Sequence, residues 1–153
     1  MNLEFRRVIN NMKIKVLFVC IHNSARSQMA EEFLRQLSGE KFEVESAGFE
    51  ATEVNPLVIQ AMKEEGIDLT GKKTQSVFNL YKERKFFGYV ITVCNKAKES
   101  DCPIFPGNPE RIHWDLENPE DFIGTEEAKM EMVRELRDKI KKMVQQFIHE
   151  FTE

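Results

Sequence analysis

Cys20 and Arg26 enclose five residues, Ile21, His22, Asn23, Ser24 and Ala25, in the segment CIHNSAR. A cysteine thiolate is a nucleophile, and a guanidinium is a planar fork matched to two oxygens of a tetrahedral oxyanion. The hydroxyls of Ser24 and Ser27 can hydrogen-bond the loop or the sulfur. The pair is useful only if the intervening backbone curls between them, so its flanks matter. Residues 13–20, KIKVLFVC, are nearly continuous Val, Leu, Ile and Phe, the pattern of a short strand buried on both faces. In residues 25–37 the apolar positions Met29, Ala30, Phe33, Leu34 and Leu37 recur at helical spacing, and Ser38-Gly39 stops them. The segment is therefore a strand-to-helix turn, whose successive N–H groups at a helix start form an anion cradle, and the same field favours a thiolate at its lip. The competing reading makes Cys20 the last buried residue of its strand and Arg26 a solvated helix residue.

Two more thiols follow. Cys94 closes a second buried-type strand, YVITV at 89–93, and Cys102 lies eight residues on, within VCNKAKESDCP. Three cysteines, in a chain whose first residues lack the apolar stretch of an export signal, do not form a structural disulfide framework. Inert, metal-binding and redox thiols remain. Zinc held by Cys94, Cys102 and His113 lacks paired ligand spacing and a fourth ligand, so no metal is expected. His22 fits a loop residue better than a base, and His113 fits a histidine packed beside Trp114.

The order of elements must bring these groups together. After the first strand and helix come a short strand at 42–46, a helix opened by Asn55-Pro56 and ending at Gly66, a short helix within 74–85, the 89–93 strand, a weak strand at 111–114 and a long amphipathic helix at 125–151. Such alternation predicts an α/β fold with a parallel sheet covered by helices on both faces, and ligands beyond the carboxyl ends of the strands, where Cys20 and Cys94 both fall. At 153 residues one core suffices, so 12–153 is expected to be a single domain and 1–11 a loosely attached N-terminal extension. A net charge of −4 excludes a general nucleic-acid binder, and no apolar run spans a bilayer. A cytoplasmic monomer with no nucleic-acid or membrane partner is expected.

The longer segment FVCIHNSARSQMAE closely resembles the active-site loop of the low-molecular-weight protein tyrosine phosphatase superfamily. Its RSQMAE continuation is similar to the arsenate reductase branch, with Gln28 where the phosphatase branch usually has proline. Agreement extends through Ser46-Ala47-Gly48, Asn55-Pro56, Cys94, Cys102-Pro103 and His113-Trp114. The resemblance implies a three-layer fold around a four-stranded parallel sheet and arsenate as substrate. It implies that Cys20 attacks arsenic while the amides of residues 21–26 and Arg26 hold the oxyanion. Cys94 then attacks Cys20, and Cys102 attacks Cys94, leaving a Cys94–Cys102 disulfide for thioredoxin or glutaredoxin to reduce. No cofactor is implied. A phosphatase acting on tyrosine phosphate or a small phosphoester would use Cys20 and Arg26 alone, and a non-catalytic oxyanion- or arsenite-binding regulatory module would bind without turnover.

Two departures stand out. The general-acid aspartate expected before a proline is Asn118 in HWDLENPED, and an amide cannot do its work. Glu117 is the first candidate to replace it, with Asp115 and Asp121 behind. A potassium site of some family members is matched by Asn23, Glu31 and Ser46, but its fourth, acidic position is Ser76. Finally, if residues 95–101 are helical, Cys94 and Cys102 are about 12 Å apart at about 1.5 Å rise per residue, and forming their disulfide requires this segment to change shape.

Overall fold

The computed structural model describes residues 2–4, 12–94 and 102–151. β1 (Ile14–Cys20) lies inside the sheet and divides its side chains by parity: Val16, Phe18 and Cys20 enter one core, Leu17 and Val19 a second. β2 (Phe42–Gly48) pairs with one edge of β1, from Ile14↔Phe42 to Cys20↔Gly48. β3 (Tyr89–Thr92) pairs with the other edge, and β4 (Glu110–His113) lies outside β3. The order is β2-β1-β3-β4 and every pairing is parallel.

The larger core holds α1 (Arg26–Ser38), α2 (Pro56–Lys63) and α4 (Glu126–His149) against one face. Met29, Ala30, Phe33 and Leu34 of α1 meet Val133, Leu136, Ile140 and Val144 of α4, the stripes that helical periodicity marks. Asn55, Ser76 and Thr125 cap α2, α3 (Val77–Lys82) and α4 by accepting from the N–H groups of Leu57, Phe78 and Ala128. α3 covers the opposite face, where Val77, Leu80, Phe87, Cys102 and Phe105 form the smaller core with Leu17, Val19, Ala47 and Val90. The three-layer α/β architecture is thus as expected. Boundaries differ by a few residues, chiefly because β2 continues through Ala47 and Gly48, where it pairs with the end of β1. Most of the 1–11 segment, and all of 95–101 with its expected change of shape, lies outside the described residues; residues 2–4 are exposed.

α2 and α4 are also joined by charge. Arg137, buried in α4, donates to the Ala61 carbonyl at 2.9 Å and to Glu64 Oε1 at 2.7 Å, while Arg134 reaches Glu64 Oε2 at 2.8 Å. Hydrogen bonds from Arg134 first, then from Arg137, hold the Glu64 carboxyl at about 2 against an ordinary 4.5. A depressed carboxyl stabilises the fold above its unfolded value and stops doing so as pH falls through its folded value. Urea midpoints should therefore drop as pH is lowered from 4.5 towards 2, and Glu64→Gln should flatten that part of the profile while lowering the midpoint at neutral pH.

Candidate active site

The turn between β1 and α1 is shaped by its carbonyls. Those of Cys20, Ile21, His22 and Ser24 accept from the N–H groups of Phe49, Glu50, Thr52 and Asn55 at 2.8–3.2 Å, so the strand leaving β2 holds the outside of the loop. His22 adds a contact from Nδ1 to the Glu50 carbonyl at 3.1 Å. Asn23 takes φ +55, a left-handed conformation that asparagine tolerates better than most residues, and turns its N–H onto Cys20 Sγ at 3.2 Å. Unlike α2, α3 and α4, α1 starts without a side-chain cap, at Ala25. Its first amides are therefore not used by a capping side chain of its own.

Below the loop lies a buried polar network whose directions are set from outside it. The Gln75 backbone N–H can only donate, and it donates to Asn23 Oδ1 at 3.0 Å, fixing the amide's orientation. Gln28 Nε2 donates to the same oxygen at 3.1 Å. Asn23 Nδ2 therefore faces the two hydroxyls, Ser27 Oγ at 2.8 Å and Ser46 Oγ at 2.9 Å, and both accept. Ser46 passes its hydrogen to Glu31 Oε1 at 2.5 Å. Ser27 Oγ lies 2.8 Å from Cys20 Sγ, and is the donor when Cys20 is a thiolate. As a thiolate, Cys20 receives a backbone N–H and a hydroxyl.

Arg26 is buried, and its Nη1 donates to the Leu116 carbonyl at 3.0 Å, drawing the segment after β4 across the loop. Its Nε is buried without a partner among the described residues, a donor suited to an anion. Asn118 is spent otherwise: its Oδ1 accepts the Glu120 N–H at 3.1 Å and caps the 3-10 helix Pro119–Asp121. Asp115 and Glu117 are both exposed. The carboxylate tied to the rim is instead Glu120, whose Oε1 accepts from Asn55 Nδ2 at 3.3 Å, beside the residue that bonds the Ser24 carbonyl.

Cys94 and Cys102 are buried and, like Cys20, in no disulfide. Val19 pairs with Thr92 in the sheet, so Cys94 follows the end of β3 next to the end of β1 that carries Cys20. Cys102 packs in the smaller core rather than on a solvated loop. Burial pushes its thiol up to about 11; Arg111 opposes this, and charge on Cys94 adds to it. His113 takes the packed role, with Nδ1 2.7 Å from Thr92 Oγ1, and among the described residues no three His, Cys, Asp or Glu side chains gather around a metal position.

Residues 15–153 match the low molecular weight phosphotyrosine protein phosphatase family. The chain belongs to this family. It is 38% identical over 137 residues to an arsenate reductase of Halalkalibacterium halodurans, an alignment covering 90% of this chain and 96% of the relative. Among solved structures it resembles an arsenate reductase in its oxidized state, with TM-score 0.75 and 32% identity over 91% of this chain and 98% of the other. It also resembles a thioredoxin-dependent arsenate reductase of Corynebacterium glutamicum, with TM-score 0.61 and 26% identity over 92% of this chain and 66% of the other.

Against this family background, residues 72–75 are the part of the site that sequence reasoning missed. Gln28 Nε2 reaches the Lys73 carbonyl at 3.4 Å, Gln75 Nε2 bonds the Ser46 carbonyl at 2.9 Å, and the Gly48 N–H bonds the Gln75 carbonyl at 2.9 Å. Ser76, placed by sequence at the fourth potassium-site position, caps α3 instead, and the ammonium of Lys72 sits on Glu31. The only signal was Gln28 itself, an amide where the phosphatase branch usually has proline.

Gly48 sets how closely β2 approaches the loop. A Cβ there would stand 2.6 Å from the Asn23 nitrogen and 2.8 Å from the Ile21 oxygen, both backbone. Gly48→Ala should destabilise the protein by about 1–3 kcal/mol in urea titrations, as overpacking does, and should weaken oxyanion protection of Cys20 from alkylation.

Proposed function

We propose that the protein reduces arsenate to arsenite with Cys20 as nucleophile and Cys94 and Cys102 as the relay. The observation carrying this reading is that Cys20 accepts a backbone N–H and lies beside the Ser27 hydroxyl, while Cys94 follows the end of the neighbouring strand and Cys102 is a further buried thiol outside any disulfide. A phosphatase needs only the first of them, and the cap formed by Asn118 leaves it no aspartate at the acid position.

Arsenate docks on the amides of residues 21–26 with Arg26 on its oxygens. The Cys20 sulfur forms a bond to arsenic as one arsenate oxygen leaves as water. Cys94 attacks the Cys20 sulfur; the electron pair of the sulfur–arsenic bond remains on arsenic, which departs as arsenite, and a Cys20–Cys94 disulfide results. Cys102 attacks the Cys94 sulfur, restoring the Cys20 thiolate and leaving a Cys94–Cys102 disulfide. Two electrons from a dithiol protein of the thioredoxin or glutaredoxin kind return both to thiols. Cys102 enters last, in keeping with a buried thiol pushed up to about 11 that must be uncovered before it attacks. Arsenate brings its own exchangeable hydroxyls, so the leaving oxygen depends less on a protein acid than a phenol does. Where an acid does assist, the candidates are Glu117 and Asp115, with Glu120 added because Asn55 Nδ2 bonds it; all three are exposed. The enzyme works as a cytoplasmic monomer, and no helix among the described residues is long and apolar enough to cross a membrane.

Arsenate-dependent oxidation of reduced thioredoxin, run beside a glutaredoxin–glutathione system, tests the relay. Cys20→Ser, Cys94→Ser and Cys102→Ser should each fall to background with the physiological donor, and Cys94→Ser should retain oxyanion binding. Ordinary turnover in Cys94→Ser would rule the relay out.

The acid position gives a separate expectation. Asn118→Asp should raise aryl phosphate hydrolysis by roughly the 10²–10⁴-fold that a positioned acid contributes, with a much smaller rise in arsenate reduction. Steady-state rates of the variant on both substrates decide it.

A further inference from the structure

The hydrogen bonds beneath Cys20 continue past the loop to a charge on another segment. From the sulfur they pass through Ser27, Asn23 and Ser46 to Glu31 Oε1, and the Lys72 ammonium sits on the other oxygen, Glu31 Oε2. Asn23, Ser27, Ser46 and Glu31 are all buried, so water does not substitute freely for any link. The charged groups facing Glu31 are Lys72, from the segment before α3, and Arg35, from its own helix, at 2.7 Å from Oε2; Glu32 lies beside it and shares both cations. From β2 it meets the Ser46 hydroxyl.

We propose that Lys72 is a positioning residue for Cys20: its ammonium keeps the Glu31 carboxylate in place as the acceptor of the Ser46 hydrogen, so that Ser46 stays an acceptor for Asn23, whose orientation the Gln75 N–H sets, and Asn23 stays held on Ser27 beside the sulfur. The proposal rests on Cys20 being the nucleophile. As a carboxylate, Glu31 only accepts, so Ser46 must donate to it and accept from Asn23. If Glu31 took up a proton or swung away, the Ser46 hydrogen would lose its acceptor and could turn towards the Asn23 amide, donor against donor. Asn23 would then hold Ser27 less firmly, and Ser27 would not be committed to donating to the sulfur. Lys72 rather than Arg35 carries this role because the Arg35 side chain is 47% exposed and also bonds the Val44 carbonyl, whereas that of Lys72 is 21% exposed. Solvent screens the more exposed partner more strongly. Lys72 also lines an open cavity of about 460 Å³ with Gly71, Lys73 and Thr74, wide enough to admit a small alkylammonium ion.

The test follows the rate of Cys20 alkylation by iodoacetamide against pH, read by mass at the Cys20 peptide so that the other thiols do not contribute. Lys72→Met should displace the profile to higher pH by about one unit, an approximately tenfold slower reaction on its lower limb. Lys72→Arg should restore it, and Arg35→Met should displace it less. In Lys72→Ala, methylammonium should recover the parent profile in a concentration-dependent way, a comparison made on one folded sample before and after addition. A Lys72→Met profile that coincides with the parent's, an Arg35→Met displacement as large as that of Lys72→Met, or no recovery with methylammonium, would overturn the assignment. A parent protein whose Cys20 alkylates like an ordinary thiol would instead overturn the nucleophile reading, a result told apart by the parent sample alone.

Discussion

One backbone N–H, that of Gln75, decides how the buried polar groups around Cys20 are oriented. Because it can only donate, Asn23 must present its oxygen to it and its two amide hydrogens to Ser27 and Ser46. A buried polar atom left without its partner costs about 1–3 kcal/mol, so the arrangement has little freedom to reverse. The sheet supplies the constraint at long range: β2 must run beside β1 to Gly48, and the Gly48 N–H must meet the Gln75 carbonyl, for the donor to arrive where it does. The orientation of the loop is therefore a property of the fold as a whole rather than of the seven residues from Cys20 to Arg26.

The same division of labour explains what could be seen in advance. The turn from Cys20 to Arg26 was legible because a doubly buried strand and an amphipathic helix leave unmistakable periodicities on either side. A parallel sheet and the long final helix followed from the alternation of elements and the helical spacing, with the fourth strand only weakly marked. Residues 71–76 carry no periodicity. In the sequence, Lys72 and Lys73 are simply two solvated lysines after a glycine. Their function comes from tertiary placement, which brings Lys72 to Glu31 across forty-one positions of chain. Glu120 escaped notice for a related reason, since Asn55 singles it out from its acidic neighbours only in three dimensions. The composition around Cys102 is polar and gives no sign of a core position. Cys102 and Phe105 nevertheless enter the smaller core.

Asn118 illustrates how one substitution can serve structure and select chemistry together. Its side-chain oxygen caps a short helix, a task an aspartate performs equally well, so stability alone does not require the amide. The difference lies in proton transfer, which the amide forgoes. Arg26 meanwhile ties the segment containing Asn118 to the loop through the Leu116 carbonyl, a bond in which the Asn118 side chain takes no part.

The two-sided burial of β1 has a further consequence. Cys20 belongs with the larger core and Cys102 with the smaller, so the two ends of the proposed relay are anchored in hydrophobic clusters on opposite faces of one sheet. Drawing Cys102 out to form its disulfide removes a packed side chain from Val77, Leu80, Phe87 and Phe105. The cost of that unpacking adds to the stability of the dithiol and makes the disulfide a stronger oxidant. In the proposed relay the electrochemical potential of the Cys94–Cys102 pair would depend partly on the cohesion of a small apolar cluster. Substitutions among those hydrocarbons, none of which touches an oxyanion, would retune how readily the protein accepts electrons.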